Sequence, residues 1–562
     1  LRVKKGTFAI FVVMFLLLFA ILSACSGDQT SGEKENEKSN ETKTSANTPE
    51  DNPETPKGMP DKFDPVVELS TVSANGPSVQ LPEGDTVDDN AWTRHLEGEF
   101  GIKVKTLWNA PGEQYDQKVN LAITSGDIPD FFIVNPQQFS QLAEADLIED
   151  LTKVYENFAP ENVKTVMDEA GEAVLKAATI DGKLMAIPFA GKEQENASIL
   201  WIRKDWMEKL NLPDPKSMDD VLKIAEAFTT QDPDGNGKDD TYGLAINKEI
   251  MMTRGLFNGF HAYHDIWIKD ESGNLVYSNI QPEFKEALAA LQGMYKKGQI
   301  DPEFGVKDST KVAEDYGKGK IGMAFAGRSA VAFKLQTPNA EWQAYAVPSV
   351  DSTPTKLQHN VNIEGNRYWV VRKGVEHPEA VLKMMDHFLQ TFYFNTDDDI
   401  FKEFVDDGEN QSIWQFAPAK LYTTFNNVNI YKAISEVIES GDENLDALTP
   451  HQRNFYARIK LYLNGDMEWW DQYQGFGPEG SGPVLESYIE NDQFIMNEFY
   501  SSPTKTMARR GANLQKIELE MMTEIIKGGS LDLFDEYVEN WKKLGGDDIT
   551  KEVNEWYSQQ GN

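Results

Sequence analysis

Apolar and polar positions divide the chain into three textures. Residues 8–22 form an uncharged apolar run behind Arg2, Lys4 and Lys5. The run is short for a bilayer span and fits the core of an export signal. Residues 26–62 carry no aromatic ring and almost no aliphatic side chain, so they cannot bury enough surface to order themselves. As a flexible coil this stretch would span about 35 Å. From Val66 onward short apolar strands alternate with amphipathic helical stretches, the mark of an α/β architecture. The pattern predicts a strand starting at Val66, a helix over 89–100, a strand over 102–107, a helix over 115–124 and a buried strand over 131–134. Two βα units in succession imply parallel pairing. Further on, Asp181, Gly182 and Lys183 predict a turn into a strand over 184–189.

Length and charge narrow the class. A chain of 562 residues exceeds the size at which single cores stop growing, so two or more lobes are expected. A net charge of −37 excludes nucleic acid and anionic lipid as partners and implies a water-facing surface. The single cysteine, Cys25, cannot form an internal disulfide. It closes the stretch Leu22, Ser23, Ala24, Cys25, which reads as a lipobox. Small residues before a thiol suit acylation and cleavage, so the mature protein would begin at a lipidated Cys25 on the extracellular face of the cell membrane. A plainer alternative is a secretory signal with a buried cysteine just beyond it.

One loop carries metal chemistry. The helix over 218–228, capped by Ser217, delivers the chain into Asp232, Pro233, Asp234, Gly235, Asn236, Gly237, Lys238, Asp239 and Asp240. Oxygen side chains fall at positions one, three, five and nine of an EF-hand-like loop, with glycine at the sixth, where the backbone must turn sharply. Asp232, Asp234, Asn236 and Asp240, with the Lys238 carbonyl, suit a structural calcium ion. The twelfth position departs from the pattern, being Gly243 where an EF-hand carries a bidentate glutamate. Water or a second oxygen of Asp240 would have to complete the shell.

Enzyme signatures are missing from the sequence. There is no GxSxG elbow, HExxH helix, P-loop or GxGxxG unit. The seven histidines are scattered, and only His261 and His264 lie close. Ninety-one carboxylates guarantee that some pair falls at any chosen spacing, so abundance alone argues for no glycosidase dyad.

Seven phrases in order carry a resemblance: NLAITSGDIPD at 120–130, EADLIEDL at 144–151, DGKLMAIP at 181–188, LWIRKDW at 200–206, DPDGNGKDDTYGL at 232–244, SPTKTM at 502–507 and WKKLGGDDITKEVNEW at 541–556. Together they resemble the family 1 extracellular solute-binding lipoproteins of ABC importers, the LplA-like group in particular. The resemblance implies a periplasmic-binding-protein-like fold of type II, with two α/β lobes joined by a hinge and a ligand cleft between them. It implies a monomeric receptor that captures an oligosaccharide and delivers it to ABC permease subunits. A membrane-tethered carbohydrate-active enzyme is the alternative. On this reading residues 1–24 are a lipoprotein signal peptide and 25–62 a lipidated tether. Residues 63–192 with 340–394 form lobe one, and 193–339 with 395–540 form lobe two. Residues 541–562 are a C-terminal helix of unassigned lobe, whose Trp541 and Trp556 serve packing.

Sugars present apolar ring faces and a girdle of hydroxyls, so their sites pair aromatic platforms with planar polar groups. Candidates near the expected lobe edges are Trp108 and Asn109, Trp201 and Arg203, Phe257 and Trp267, then Arg328. Asn362, Glu364 and Arg367 gather after the second crossing, and Trp469, Trp470 and Tyr473 form a late aromatic patch.

Overall fold

The computed structural model describes residues 58–560 apart from 77–78, 329–339, 409–411 and 442–444. Cys25 lies outside the described residues. Strand Val67–Ser73 runs parallel to Ile102–Asn109, with Val67 opposite Ile102. Ile102 and Val104 point inward while Lys103 and Lys105 face solvent, the alternation of a half-buried strand. The helix between them, Ala91–Phe100, starts where Asn90 and Thr93 form a reciprocal capping box and stops at Gly101 in the left-handed region. No side chain fits there, because a Cβ on Gly101 would stand 2.2 Å from the Phe63 carbonyl oxygen.

A second sheet of this lobe places Ile363–Val371 between Phe131–Val134 and Ile187–Ala190, antiparallel to both. Side chains knit it to the parallel pair: Ser70 donates through its backbone N and its hydroxyl to Asp130 Oδ2, both at 2.7 Å, and Thr71 Oγ1 donates to the Phe131 carbonyl at 2.8 Å. The other lobe is built on four strands in the order Trp342–Tyr345, Ile199–Arg203, Ile321–Ala326, Tyr242–Leu244. Ile199–Arg203 is buried along its whole length, and its apolar run Ile199 to Ile202 suits a central strand. Helix Met218–Thr230, capped by Ser217 with Asp220, packs on the edge strand so closely that a Cβ on Gly243 would lie 2.7 Å from the Ala225 carbonyl oxygen.

Each sheet has its own core. One gathers Phe63, Ile102, Phe132, Ile187, Trp369 and Leu389; the other gathers Trp201, Phe257, Leu288, Trp342, Ile525 and Val553. Among the described residues the chain passes between these cores at 190–197, 357–361 and 421–428. Gly191 N donates to the Asn362 carbonyl and Tyr422 N to the Ala190 carbonyl, each at 3.0 Å, so the crossings brace one another.

The lobe boundaries differ from those expected. Residues 340–347 belong to the second core through Ala340, Trp342, Ala344 and Val347, because Trp342–Tyr345 pairs with Ile199–Arg203; the crossing comes later, at 357–361. Residues 395–421 stay with the first lobe. Helix Glu379–Phe392 is buried on nearly every side, and its Phe388 and Phe392 recruit Phe401, Phe404, Val405, Ile413 and Ala417 into a cluster with Trp92. Ala419 and Leu421 then enter the first core itself. Of the expected tether, Met59 packs against the first core and Lys62 Nζ donates to the Gly98 carbonyl, so ordered structure begins before residue 63. The C-terminal segment lies on the second core, with Trp541 stacked on Tyr277 and Trp556 edge-on to Phe499 and Tyr500. Among the described residues no helix is long and apolar enough to cross a membrane.

Candidate functional site

Parallel strands end with their last residues free of side-chain cover, and ligands of open α/β sheets gather there. In the first lobe a cavity of 510 Å³ opens at the carboxyl ends of Val67–Ser73 and Ile102–Asn109. Its walls include Thr71, Ser73 and Asn75 from the first strand end, Thr106 from the second, and Glu113, Tyr115 and Asp116 from the helix Glu113–Ser125. Arg367 and Trp369 contribute from the middle strand, and the segment 415–422 completes the enclosure.

Aromatic faces and polar forks alternate around this space. Phe189 packs against Tyr422 at 4.9 Å between centroids and stands edge-on to Trp369 at 6.0 Å. The Tyr115 hydroxyl donates to the Ile133 carbonyl at 2.9 Å, which pins the ring. Arg367 clasps Asp116 with two bonds, and those bonds hold the Asp116 carboxyl below the usual carboxylate range. The Lys420 ammonium donates to the carbonyls of Gln415 at 2.8 Å and Ala417 at 2.9 Å, and burial pulls its pKa down to about 8.

A second cavity of 220 Å³ adjoins the first and shares Tyr422 with it. Helix Pro450–Leu463 supplies His451, Asn454, Phe455 and Arg458; Lys192, Asn426 and Asn427 come from the crossings. Asp406 accepts from Arg458 at 3.1 Å and Asn454 at 3.0 Å, and the Arg458 guanidinium lies 5.1 Å from the Trp469 ring centroid. Burial pulls His451 down to about 4, so its imidazole is neutral at pH 7. Behind the cavity Glu195 accepts from Asn427 Nδ2 at 2.6 Å and Val428 N at 2.8 Å, tying two crossings together; burial pushes this carboxyl up to about 7.

Of the expected ligand contacts, Arg367 lines the larger cavity. Asn109 is exposed and donates to the Asn75 carbonyl at 2.9 Å, and Trp108 packs edge-on to Tyr115 at 5.5 Å, so both support the wall from outside. Trp469 borders the smaller cavity through Arg458, and Tyr473 packs against Tyr462 at 4.7 Å between centroids. Arg328 stacks over Phe476 at 4.8 Å, its charge directed at buried Glu195. The rest serve packing. Trp201, Phe257, Trp267 and Trp470 fill the second core. Arg203 is buried, paired with Asp205 and laid over Trp206, which removes it from any cleft. Asn362 is buried and donates to the Ala170 carbonyl at 3.1 Å. The Glu364 side chain lies outside the described residues. Tyr115, Asp116, Trp369, Lys420, Tyr422 and Lys192 were not anticipated. For the lysines a signal exists: each is the lone charge at the end or middle of an apolar run, 187–192 and 417–422.

The acidic loop presents its donors only in part. Asp232 accepts from Asn236 N and Gly237 N, both at 3.0 Å. The Asn236 amide nitrogen stands between Asp234 Oδ2 at 2.7 Å and Asp240 Oδ1 at 3.0 Å, where a cation would neutralise both. Turning that amide over presents Oδ1 instead. Burial, and then the neighbouring carboxylates of Asp232 and Asp240, push the Asp234 carboxyl up. Among the described residues no three histidine, cysteine or carboxylate side chains converge closely enough to form a finished metal cage, so the loop would contract around an ion. A twelfth-position glutamate is excluded sterically, since Gly243 abuts Ala225. The donors of the EF-hand-like half, with the Lys238 carbonyl, still fit a hard oxygen-seeking cation.

Comparison with known proteins agrees with this architecture. The sequence profile of the bacterial extracellular solute-binding proteins matches residues 91–395. Lipoprotein LipO of Bacillus subtilis is 24% identical over 503 residues, covering 84% of this chain and 89% of that one. The polygalacturonan/rhamnogalacturonan-binding protein YtcQ of the same organism is 27% identical over 239 residues, 41% of this chain and 45% of that one. In three dimensions the chain superposes on an HMO binding ABC-transporter associated solute binding protein from Bifidobacterium longum infantis with a TM-score of 0.59 at 17% identity, covering 88% of this chain and 99% of the other. The fold is therefore periplasmic-binding-protein-like, and the chain belongs to the bacterial extracellular solute-binding proteins.

Proposed function

We propose that this chain captures an oligosaccharide outside the cell and hands it to the permease of an ABC importer. The observation that carries the reading is the pair of adjoining cavities around Tyr422, which combine aromatic faces with a guanidinium, amides and hydroxyls at strand ends and crossings. Stacking on rings and bidentate bonds to vicinal hydroxyls are what a sugar site requires. A relative that binds polygalacturonan and rhamnogalacturonan, and a structural neighbour associated with an ABC transporter, support the same class. A ligand touching both lobes would favour a closed form by its differential contact energy, with the crossings at 190–197, 357–361 and 421–428 acting as the hinge.

Two further parts complete the proposal. A lipid on Cys25 holds the protein at the membrane surface as a monomer, and Cys25→Ser should move it out of the detergent phase. Calcium is held by Asp232, Asp234, Asn236, Asp240 and the Lys238 carbonyl; when bound it supplies charge neutralisation to a surface turn and takes no part in ligand chemistry.

Small-angle scattering of the chain titrated with a glycan library tests the central claim. The expected result is a smaller radius of gyration with the bound glycan, recovered intact afterwards. A scattering curve indifferent to every bound glycan, or recovery of shortened products, would refute the receptor reading.

A further inference from the structure

Two lysines at the adjoining cavities form no ion pair with any described residue. The chain carries 91 acidic against 54 basic residues, so a basic side chain has carboxylates in abundance. Elsewhere in the first lobe Lys103 pairs with Glu68, Arg372 with Asp130 and Lys373 with Asp146. The two guanidinium groups at the cavities are likewise neutralised, Arg367 by Asp116 and Arg458 by Asp406. Lys420 and Lys192 have no ion-pair partner among the described residues. Lys420 spends two donors on the carbonyls of Gln415 and Ala417 and keeps a third. Lys192 lies 5.1 Å from the Tyr422 ring centroid, and its longer-range influence falls on Glu195, which already accepts from Asn427 and Val428. Thus Tyr422, the wall common to both cavities, has in each an ammonium that touches no carboxylate among the described residues, the nearest acidic groups being Glu113 on the wall of the larger cavity and Glu195 behind the smaller.

Leaving an ammonium half-buried without a carboxylate in contact is unfavourable, and the contacts each lysine does make, two backbone carbonyls for Lys420 and the Tyr422 ring for Lys192, carry no full negative charge. We infer that the ligand supplies the missing charge. Resting on the receptor reading above, this assigns the ligand to acidic oligosaccharides that carry uronate carboxylates, with Lys420 and Lys192 receiving carboxylates of different sugar rings on either side of Tyr422. Single cations in separate cavities suit carboxylates carried one to a ring. A phosphate concentrates its charge at one point and calls for a guanidinium fork with net positive charge, and both guanidinium charges here are already neutralised.

The test is calorimetric titration of the chain with oligogalacturonides, oligoglucuronides and oligomannuronides of two to four rings, each beside its carboxyl-reduced neutral counterpart of identical linkage. At least one uronide should bind, and its reduced counterpart should bind at least tenfold more weakly. Lys420→Met and Lys192→Met should each narrow that ratio severalfold. Lys420→Arg, which keeps the charge, and Lys103→Met, at a surface pair, should preserve it. Unchanged melting temperatures in the two methionine variants exclude misfolding as the cause. Equal affinity for a uronide and its reduced form, or a ratio indifferent to both methionine variants, overturns the inference while leaving the receptor reading intact. Failure of every one of these glycans to bind also overturns the inference, and the receptor reading is then decided by the scattering titration with the wider library.

Discussion

Arg367 and Asp116 stand 251 positions apart and meet as a two-bonded pair, Nη1 to Oδ1 at 2.6 Å and Nη2 to Oδ2 at 2.8 Å. The pair joins the middle strand of one sheet to the helix that follows the other, and it fixes the planar guanidinium against the larger cavity. Asp116 is itself oriented by Asn135 at 3.4 Å, and its backbone carbonyl accepts from Gln138 at 3.2 Å.

Breaking that pair should be felt in stability and in affinity. Asp116→Ala leaves a charged donor without its acceptor and should lower unfolding free energy by about 2 kcal/mol. Arg367→Lys keeps the charge but cannot supply two parallel donors, so it should recover part of the stability and little of the glycan affinity. Urea titration and calorimetry of the two variants separate these effects. Native-like affinity in Arg367→Lys would show that the fork does not touch ligand.

Calcium linkage gives a second measurement. If the loop at 232–240 binds the ion only when folded, calcium at a hundredfold excess over its dissociation constant should add about 2.7 kcal/mol to stability. Asp232→Asn with Asp234→Asn should abolish that gain. Identical melting curves of the native chain in chelator and in calcium would leave the loop a polar turn.

What could be read from residues alone was local. The strands expected from Val66 and over 102–107, the Ser217 cap and the Asp181–Gly182 turn each depend on neighbours in sequence, and each forms where its pattern lies. The place of 395–421 was not local. It depends on helix Glu379–Phe392 presenting Phe388 and Phe392 to a partner that no periodicity names. Aromatic residues misled for a related reason: Trp201, Phe257 and Trp267 look like platforms in sequence, but a ring serves a core as readily as a cleft, and the buried strand or helix beneath it decides. Arg367 was expected as a ligand contact because a guanidinium fork can clasp two oxygens, and its partner 251 positions away was beyond any local pattern. It pairs with Asp116 and lines the larger cavity.

The last prediction concerns pH. Glu518 is buried and accepts from Asn279 at 2.6 Å and from the Tyr537 hydroxyl at 2.6 Å, with the Tyr277 hydroxyl at 3.4 Å bridging toward Asp265. Burial first, then repulsion from Asp265, pushes its carboxyl up to about 7, and burial does the same to Glu195. A carboxyl raised in the folded state binds its proton more tightly there than when unfolded. Its contribution is therefore complete below the ordinary value near 4.5 and fades as pH rises through 7. The buried histidines act in the opposite direction. His264 and His451 are lowered to about 4 and His387 to about 3, all by burial, so stability is lost as pH falls from 6.5 toward those values. Melting temperature should accordingly peak near pH 6 and decline on both sides. Glu518→Gln should melt above the native chain at pH 8, and the gap should close by pH 6, where the native carboxyl already holds its proton. A gap that is the same at both pH values would mean that the substitution acts through packing or hydrogen bonding and that Glu518 does not titrate in this range.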